Sequence, residues 1–268
     1  MIDRSPVALI TGGGRGLGRG IALALSKSGF SVAICFRSDE TAARQTIELC
    51  RKAAENPQTT SVSCQLFTAH QADISSATDR DNLLTEVTSE VGEIDALINN
   101  AGIAPRRRDD LLDATEESFN EVLGVNLAGP HFLTQAMARR WIAKRAQSQQ
   151  RRTVVFITSI SSEYASSLRG EYCISKAGLT MSRELWAARL AEIDIAVFEV
   201  RPGIMQTDMT KEVAARYDGL IADGLVPQRR WGTPEDVGSA VSSLLSGSFS
   251  FSQGTVIDVD GGFRLKRF

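Results

Sequence analysis

A doubly wound α/β fold, a mostly parallel sheet with helices on both faces, is predicted by three features of this 268-residue sequence. Short β-rich apolar runs alternate with longer helical patterns almost from end to end, which is how βαβ units read. The strand candidates are near-continuous Val, Ile, Leu and Phe runs, as expected where helices cover both faces of a sheet. A glycine-rich string, TGGGRGLG at residues 11–18, stands between the first strand and the first helix.

Seven strands are predicted in chain order. VALIT (7–11) opens the pattern, and after the glycine string GRGIALALSKSG reads as the first helix. SVAICF (31–36) is the second strand, followed by the helical ETAARQTIELCRKAAE and by SCQLFTA (63–69) as the third. ATDRDNLLTEVTSEVG is helical and leads into DALINN (95–100), after which one long helix is expected from about Glu116 to Arg145. TVVFIT (153–158), the helix YCISKAGLTMSRELWAARLAEI, IAVFEV (195–200), the helix PEDVGSAVSSLLSG and TVIDV (255–259) complete the series. No linker, repeat or shift of composition splits the chain, so residues 1–268 read as one domain. Residues 205–230 are poorly periodic. They read either as a surface excursion or, from their place after the sixth strand at the ligand-binding edge, as a mobile substrate lid.

Composition narrows the chemistry. Apolar residues at 43% and charged residues at 23% are ordinary for a globular protein. A formal charge of -2 gives no electrostatic reason to expect nucleic acid or an anionic membrane as partner. Arg106-Arg107-Arg108 and Arg151-Arg152 sit among acids or glutamines and read first as solvated loops. The stretch 144–152 is basic and long enough to serve docking, or nothing. No apolar run is long enough to span a bilayer. Cys35, Cys50, Cys64 and Cys173 are scattered, which with the absence of a leader pattern suggests a reduced, cytoplasmic setting. The only histidines, His70 and His131, lie in no ligand or triad motif, so no metal site is expected.

Two stretches carry chemistry. At the first turn, Gly12, Gly16 and Gly18 let the chain approach a phosphate closely, and the helix start offers free N–H groups and a positive dipole end. In EYCISKAG (171–178), Tyr172 and Lys176 are four apart and share a helix face. Spacing alone does not separate an active site from two surface residues. Of the three tyrosines only Tyr172 has lysine at i+4; Tyr164 and Tyr217 have Leu168 and Ile221 there.

The glycine spacing is TGxxxGxG, and here the sequence resembles the short-chain dehydrogenase/reductase family. Further motifs stand in the family's order: NNAG at Asn99–Gly102, Asn126 in GVNLAGP, Ser159 thirteen residues before Tyr172, YxxxK at Tyr172–Lys176, and RPGIMQT at Arg201–Thr207. The ending, GTPEDVGSAVSSLLS…QGTVIDVDGG, resembles 3-ketoacyl-reductase-like members, and the similarity covers essentially the whole chain. The resemblance implies reversible hydride transfer between a nicotinamide and a carbonyl. Tyr172 would be the general acid/base, Ser159 would bind the carbonyl, and Lys176 would lower the phenol pKa and hold the ribose. Asn126 would keep a water that links Lys176 to solvent, or it packs and nothing more.

The same resemblance implies that Gly12, Arg15, Gly16, Leu17 and Gly18 hold the pyrophosphate end of the cofactor. Arg37 and Ser38 would meet the adenosine ribose, with Asp73 and Ile74 at the adenine. Asn99, Ala101 and Gly102 would stand beside that ribose, with Pro202, Gly203, Ile204 and Thr207 over the nicotinamide. An NAD-selecting acid is expected at Phe36 and is absent. Arg37 and Arg15 would clamp a 2′-phosphate, so NADP(H) is expected, with NAD(H) left possible by Asp39. Asp73 could instead serve as a helix N-cap near residues 72–75.

Substrate identity stays open between an acyl-carrier 3-oxoacyl thioester and a small ketone, sugar or alcohol. Relatives that bind the acidic carrier tend to carry a basic residue after the Tyr/Lys helix; here the turn is AEIDI, with Glu192 and Asp194. Arg106–Arg108 could attract an acidic substrate or form a solvated loop. A homotetramer or homodimer is implied, and a dinucleotide-sensing protein without turnover is the rival class.

Overall fold

The computed structural model describes residues 4–55, 64–144 and 151–266. Its strands are β1 (Val7–Thr11), β2 (Ser31–Phe36), β3 (Phe67–Gln71), β4 (Ile94–Asn99), β5 (Arg152–Ile157), β6 (Ile195–Pro202) and β7 (Val256–Val259). They form one sheet in the order β3-β2-β1-β4-β5-β6-β7. Every neighbouring pair is parallel.

Successive strand side chains point to opposite faces, and the core divides accordingly. Val7 and Leu9 join one buried cluster, Ala8 and Ile10 the other. The first cluster is covered by α3 (Ala77–Glu90), α5 (Gly129–Ala143) and α6 (Gly170–Ala191), through residues such as Leu84, Trp141 and Leu190. The second is covered by α1 (Gly16–Lys27), α2 (Glu40–Ala54) and α8 (Pro234–Leu245), through Ile21, Ile47 and Val241. Each fully buried Leu, Ile or Phe contributes about 1.5–3 kcal/mol. Polar residues open several helices: Asp39, Ser76, Thr115 and Thr233 each accept a backbone N–H in the first turn, a cap worth about 1 kcal/mol.

Four expectations change. The third strand begins at Phe67, not at residue 63, which lies outside the described residues. As a sheet edge it carries the polar Thr68, His70 and Gln71, so its composition misplaces its ends. The long helix is broken into α4 (Glu116–Leu123), a π-helical turn (Gly124–Ala128) and α5. Its expected end near Arg145 lies outside the described residues.

Arg151 and Arg152 are not a solvated pair. Arg151 donates to the carbonyls of Gly247 and Phe249. Arg152 is buried at the start of β5 and donates to the Trp141 carbonyl at 2.6 Å. The remainder of the basic 144–152 stretch, residues 145–150, lies outside the described residues.

Residues 205–230 are more regular than their sequence suggests. They contain a 3₁₀ helix (Asp208–Val213) and α7 (Ala214–Ala222). Ile204, Ile221 and Val226 form a small cluster of their own with Tyr217, Trp231 and Phe263. Short helices around so few apolar residues leave little periodicity to read.

Candidate active site

Strand order reverses direction between β1 and β4, and the carboxyl ends of the strands open there into a cleft of about 610 Å³. Open α/β sheets bind ligands at such switch points. On one side Gly12 takes φ of +66°, and a Cβ there would lie 2.9 Å from Ala101 Cα. A Cβ on Gly18 would meet the Gly12 carbonyl at 2.2 Å. The start of α1 has no side-chain cap and no acid in its first turn, which leaves its N–H groups free for an anion.

The loop after β4 is tied to this turn. The Thr11 hydroxyl accepts from the backbone N–H of Asn100 and Ala101 at 3.1 and 3.0 Å. Asn100 Nδ2 donates to the Thr11 carbonyl at 2.8 Å. Ala101 and Gly102 line the cleft, as does Asn100, which the motif reading did not single out. Asn99 points elsewhere: it is buried and donates to Thr134 on α5 at 2.8 Å. The period of two along β4 turns alternate residues to opposite faces.

Phe36, Arg37, Ser38, Asp39, Asp73 and Ile74 form the far end of the cleft. Arg37 lies 3.9 Å from Glu121, and Arg15 lies 3.9 Å from Asp208; both arginine side chains are more than half exposed. Such pairs are weak and leave both guanidinium groups available. Asp39 caps α2, accepting from Ala42 N at 2.9 Å. Asp73 is not the cap of α3; it accepts from the Ser75 N–H and hydroxyl, and Ser76 is the cap.

At the other end, Ser159, Tyr172 and Lys176 come together on the cleft wall. Tyr172 is 9% exposed and Lys176 3%. The Lys176 ammonium lies 5.7 Å from the Tyr172 ring centroid and donates to the Ile157 carbonyl at 3.0 Å. Burial pushes the Tyr172 phenol above its ordinary value, opposed by a hydrogen bond from Ser159 and by the Arg169 charge. This differs from the expected lowering by Lys176. Burial takes Lys176 down to about 8, so it is itself a reluctant cation, partly supported by Glu199.

Asn126 sits behind the cleft rather than on it. The π-helical turn aims its fully buried side chain at two neighbours. Oδ1 accepts from Ile103 N at 2.8 Å, while Nδ2 donates to the Ile103 carbonyl at 2.9 Å and to Ser175 Oγ at 3.0 Å. A Cβ built on Gly102 would be 3.4 Å from both Asn126 Oδ1 and Lys176 Nζ, so the two side chains flank that glycine. Leu17, Pro202, Gly203 and Thr207 line the cleft; Ile204 does not, because it packs with Ile221 and Val226.

Behind the Tyr/Lys helix lies a charge cluster that sequence reading missed. Glu199 on β6 is fully buried. It accepts from Arg183 Nε and Arg201 Nε at 3.0 Å each, and from the hydroxyls of Thr158 and Thr180. Arg169 was also missed: its guanidinium stands 5.6 Å from the Tyr172 ring centroid. Its place at the cap position of the helix that carries the tyrosine was the available signal. Neither histidine lines the cleft. Among the described residues, no helix is long and apolar enough to cross a membrane.

Comparison with known proteins agrees with this geometry. A family model described as enoyl-(acyl carrier protein) reductase matches residues 12–264. The (3R)-3-hydroxyacyl-CoA dehydrogenase of Canis lupus familiaris is 32% identical over 261 residues, which covers 97% of this chain and 96% of the relative. The crystal structure of a 3-oxoacyl-[acyl-carrier protein] reductase from Brucella melitensis, in complex with NAD, is 42% identical with a TM-score of 0.89 and covers 99% of each chain. A protein of Agrobacterium tumefaciens described as a 2-deoxy-D-gluconate 3-dehydrogenase, with NADP bound, is 29% identical with a TM-score of 0.81, covering 97% of this chain and 96% of that one.

Proposed function

Since the chain belongs to the short-chain dehydrogenase/reductase family of oxidoreductases, we propose that it reduces a ketone to a secondary alcohol with NADP(H), Tyr172 exchanging the proton. The observation that carries this reading is a buried tyrosine lining the same cleft as Ser159 and the glycine turn, with the Lys176 ammonium 5.7 Å from its ring centroid.

The residues present fit a dinucleotide. An uncapped helix N-terminus faces the cleft beside a turn that only glycine fits at position 12. Gly16, Leu17 and the start of α1 would hold the pyrophosphate, Asp73 and Ile74 the adenine, and Lys176 the nicotinamide ribose. When bound, the nicotinamide supplies hydride chemistry. Ser159 donates to the substrate carbonyl oxygen and stabilises the negative charge that grows there. Tyr172 gives that oxygen its proton. A phenol held above its ordinary pKa is protonated at neutral pH, so it can supply the proton that reduction requires. Lys176 is then the charge that steadies the phenolate left behind. Asn126 acts by position: it fixes the loop at Ile103 and the helix at Ser175, one residue before Lys176. Residues 205–230, which contribute Met205, Thr207, Asp208, Met209 and Thr210 to the cleft, would serve as its cover.

NADPH or NADH oxidation across a panel of ketones, oxo esters and sugars tests the reading; cofactor binding with no turnover on any member would overturn it. Lys176→Met is expected to lower kcat and to weaken NADPH binding together, seen in steady-state kinetics and fluorescence titration. Arg37 supports the choice of NADP(H), as does the absence of an acid at Phe36. Arg37→Asp is expected to shift the NADPH/NADH ratio of kcat/KM toward NADH by about tenfold or more, the loss of one charge-assisted phosphate contact. An unchanged ratio would remove Arg37 from cofactor selection.

The carrier-bound substrate of the Brucella relative is not favoured here. The turn after α6 presents Glu192, exposed, and Asp194, an acidic surface for an acidic partner. Self-association is supported by several exposed apolar side chains on two helices, Phe132 and Ile142 on α5 and Ile174, Met181 and Leu185 on α6.

A further inference from the structure

Four arginines line the cleft, and they divide into two kinds. Arg15 and Arg37, near the glycine turn and the end of β2, each lie 3.9 Å from a carboxylate. Arg169 lies against Tyr172, and Arg108 lines the same cleft beside Met209. Neither has a carboxylate within ion-pair distance among the described residues. Among the described residues the side chain of Arg108 reaches only the Met209 carbonyl, at 3.4 Å. The half-buried Arg169 lies with its guanidinium over the Tyr172 ring, and among the described residues no oxygen accepts from it. Their neighbours in the sequence are satisfied differently: Arg106 pairs with Glu121 and Arg107 with Asp109, both outside the cleft.

The three acidic residues of the lining are also accounted for. Asp39 and Asp73 belong to the β2 and β3 end, and Asp208 faces Arg15. The reacting end therefore concentrates positive charge in a chain whose formal charge is -2. The lining also carries apolar side chains, among them Ile103, Pro105, Met205 and Met209. A guanidinium offers five donors in a fork matched to carboxylate, and here one such fork sits beside the proton-exchanging phenol with its donors unspent.

We propose that the substrate is a short oxo acid, or the corresponding hydroxy acid, whose carboxylate is gripped by Arg169 from the α6 side and by Arg108 while its carbonyl meets Ser159 and Tyr172. This rests on the reading of Tyr172 as proton donor and narrows it from any ketone to one carrying an anion a few carbons away. Arg169 then sets specificity by charge, and the apolar wall accommodates only the short aliphatic link between the two groups.

The test compares acids with their uncharged esters, acetoacetate against methyl acetoacetate and levulinate against methyl levulinate, using NADPH and purified protein. The acid is expected to exceed its ester in kcat/KM by roughly tenfold to a hundredfold, the range of a charge-assisted pair. In Arg169→Gln that ratio should fall toward one through KM of the acid, and Arg108→Gln should reduce it less. In parallel, levulinate binding to the NADP⁺-loaded protein is measured by calorimetry in wild type and Arg169→Gln. Equal use of acid and ester by the wild type, or a ratio unmoved by Arg169→Gln, overturns the proposal and leaves the Tyr172 reading intact. Levulinate binding that disappears in Arg169→Gln, without turnover of any carbonyl, upholds the anion site and sinks the reductase reading. Absence of both binding and acid preference overturns the anion site.

Discussion

Tyr172→Phe is expected to lower kcat by at least about 10²–10⁴-fold, the usual worth of positioned acid–base catalysis, with NADPH affinity almost unchanged. Only a hydroxyl is removed, and the ring keeps its place between Arg169 and Lys176. The measurement is a kcat profile over pH for both proteins, with cofactor binding followed by fluorescence. The wild type should show carbonyl reduction at neutral pH that declines only at alkaline pH, because burial holds the phenol protonated. Alcohol oxidation should run the other way and rise as the phenolate forms. The Phe variant should lose that alkaline limb in both directions. Wild-type turnover in Tyr172→Phe would end the proposed mechanism.

The second large effect concerns stability. Glu199→Ala is expected to destabilise the protein by about 3–5 kcal/mol, the usual result of stripping one partner from a buried charge pair. Arg183 and Arg201 are 6% and 5% exposed at their side chains and converge on that one carboxylate. Arg201 keeps a contact with Glu163, and Arg183 keeps the Gly254 carbonyl, but each loses its buried anion. Urea unfolding monitored by circular dichroism reads the difference as a lower midpoint at similar slope. Because Glu199 also supports the Lys176 charge, residual folded protein should turn over more slowly than wild type. A midpoint within experimental scatter of wild type would show that water already solvates the two arginines.

The sheet was legible because five of its strands are apolar runs that feed both core clusters, with β7 packed against one of them. β3 was not: Thr68, His70 and Gln71 on an edge carry no hydrophobic period. Spacing also led to Lys176, since i+4 on a helix is a chain-local fact, whereas Ser159 came from the family resemblance. What depends on packing was hidden. Asn99 reads like its neighbours in NNAG, but its side chain belongs to α5. The direction of the Tyr172 shift follows from how deeply α6 is buried, which no spacing reveals. Glu199, Arg183 and Arg201 are ordinary charges in a sequence, and only the parallel register of β5, β6 and β7 against α6 brings them together. Arg169 belongs to no motif, and only the fold sets it against Tyr172.

The π-helical turn at Gly124–Ala128 makes the rod on either side of it a matter of counting. One surplus residue is wound into that turn, and each residue of a regular helix advances by about 100°. Excising one would let α4 and α5 fuse into an unbroken cylinder and swing Asn126 off both Ile103 and Ser175. The tolerance of this stretch is therefore asymmetric. Exchanging a side chain there disturbs one contact, whereas changing the length of the chain by one turns an entire face away from the lysine it helps to seat.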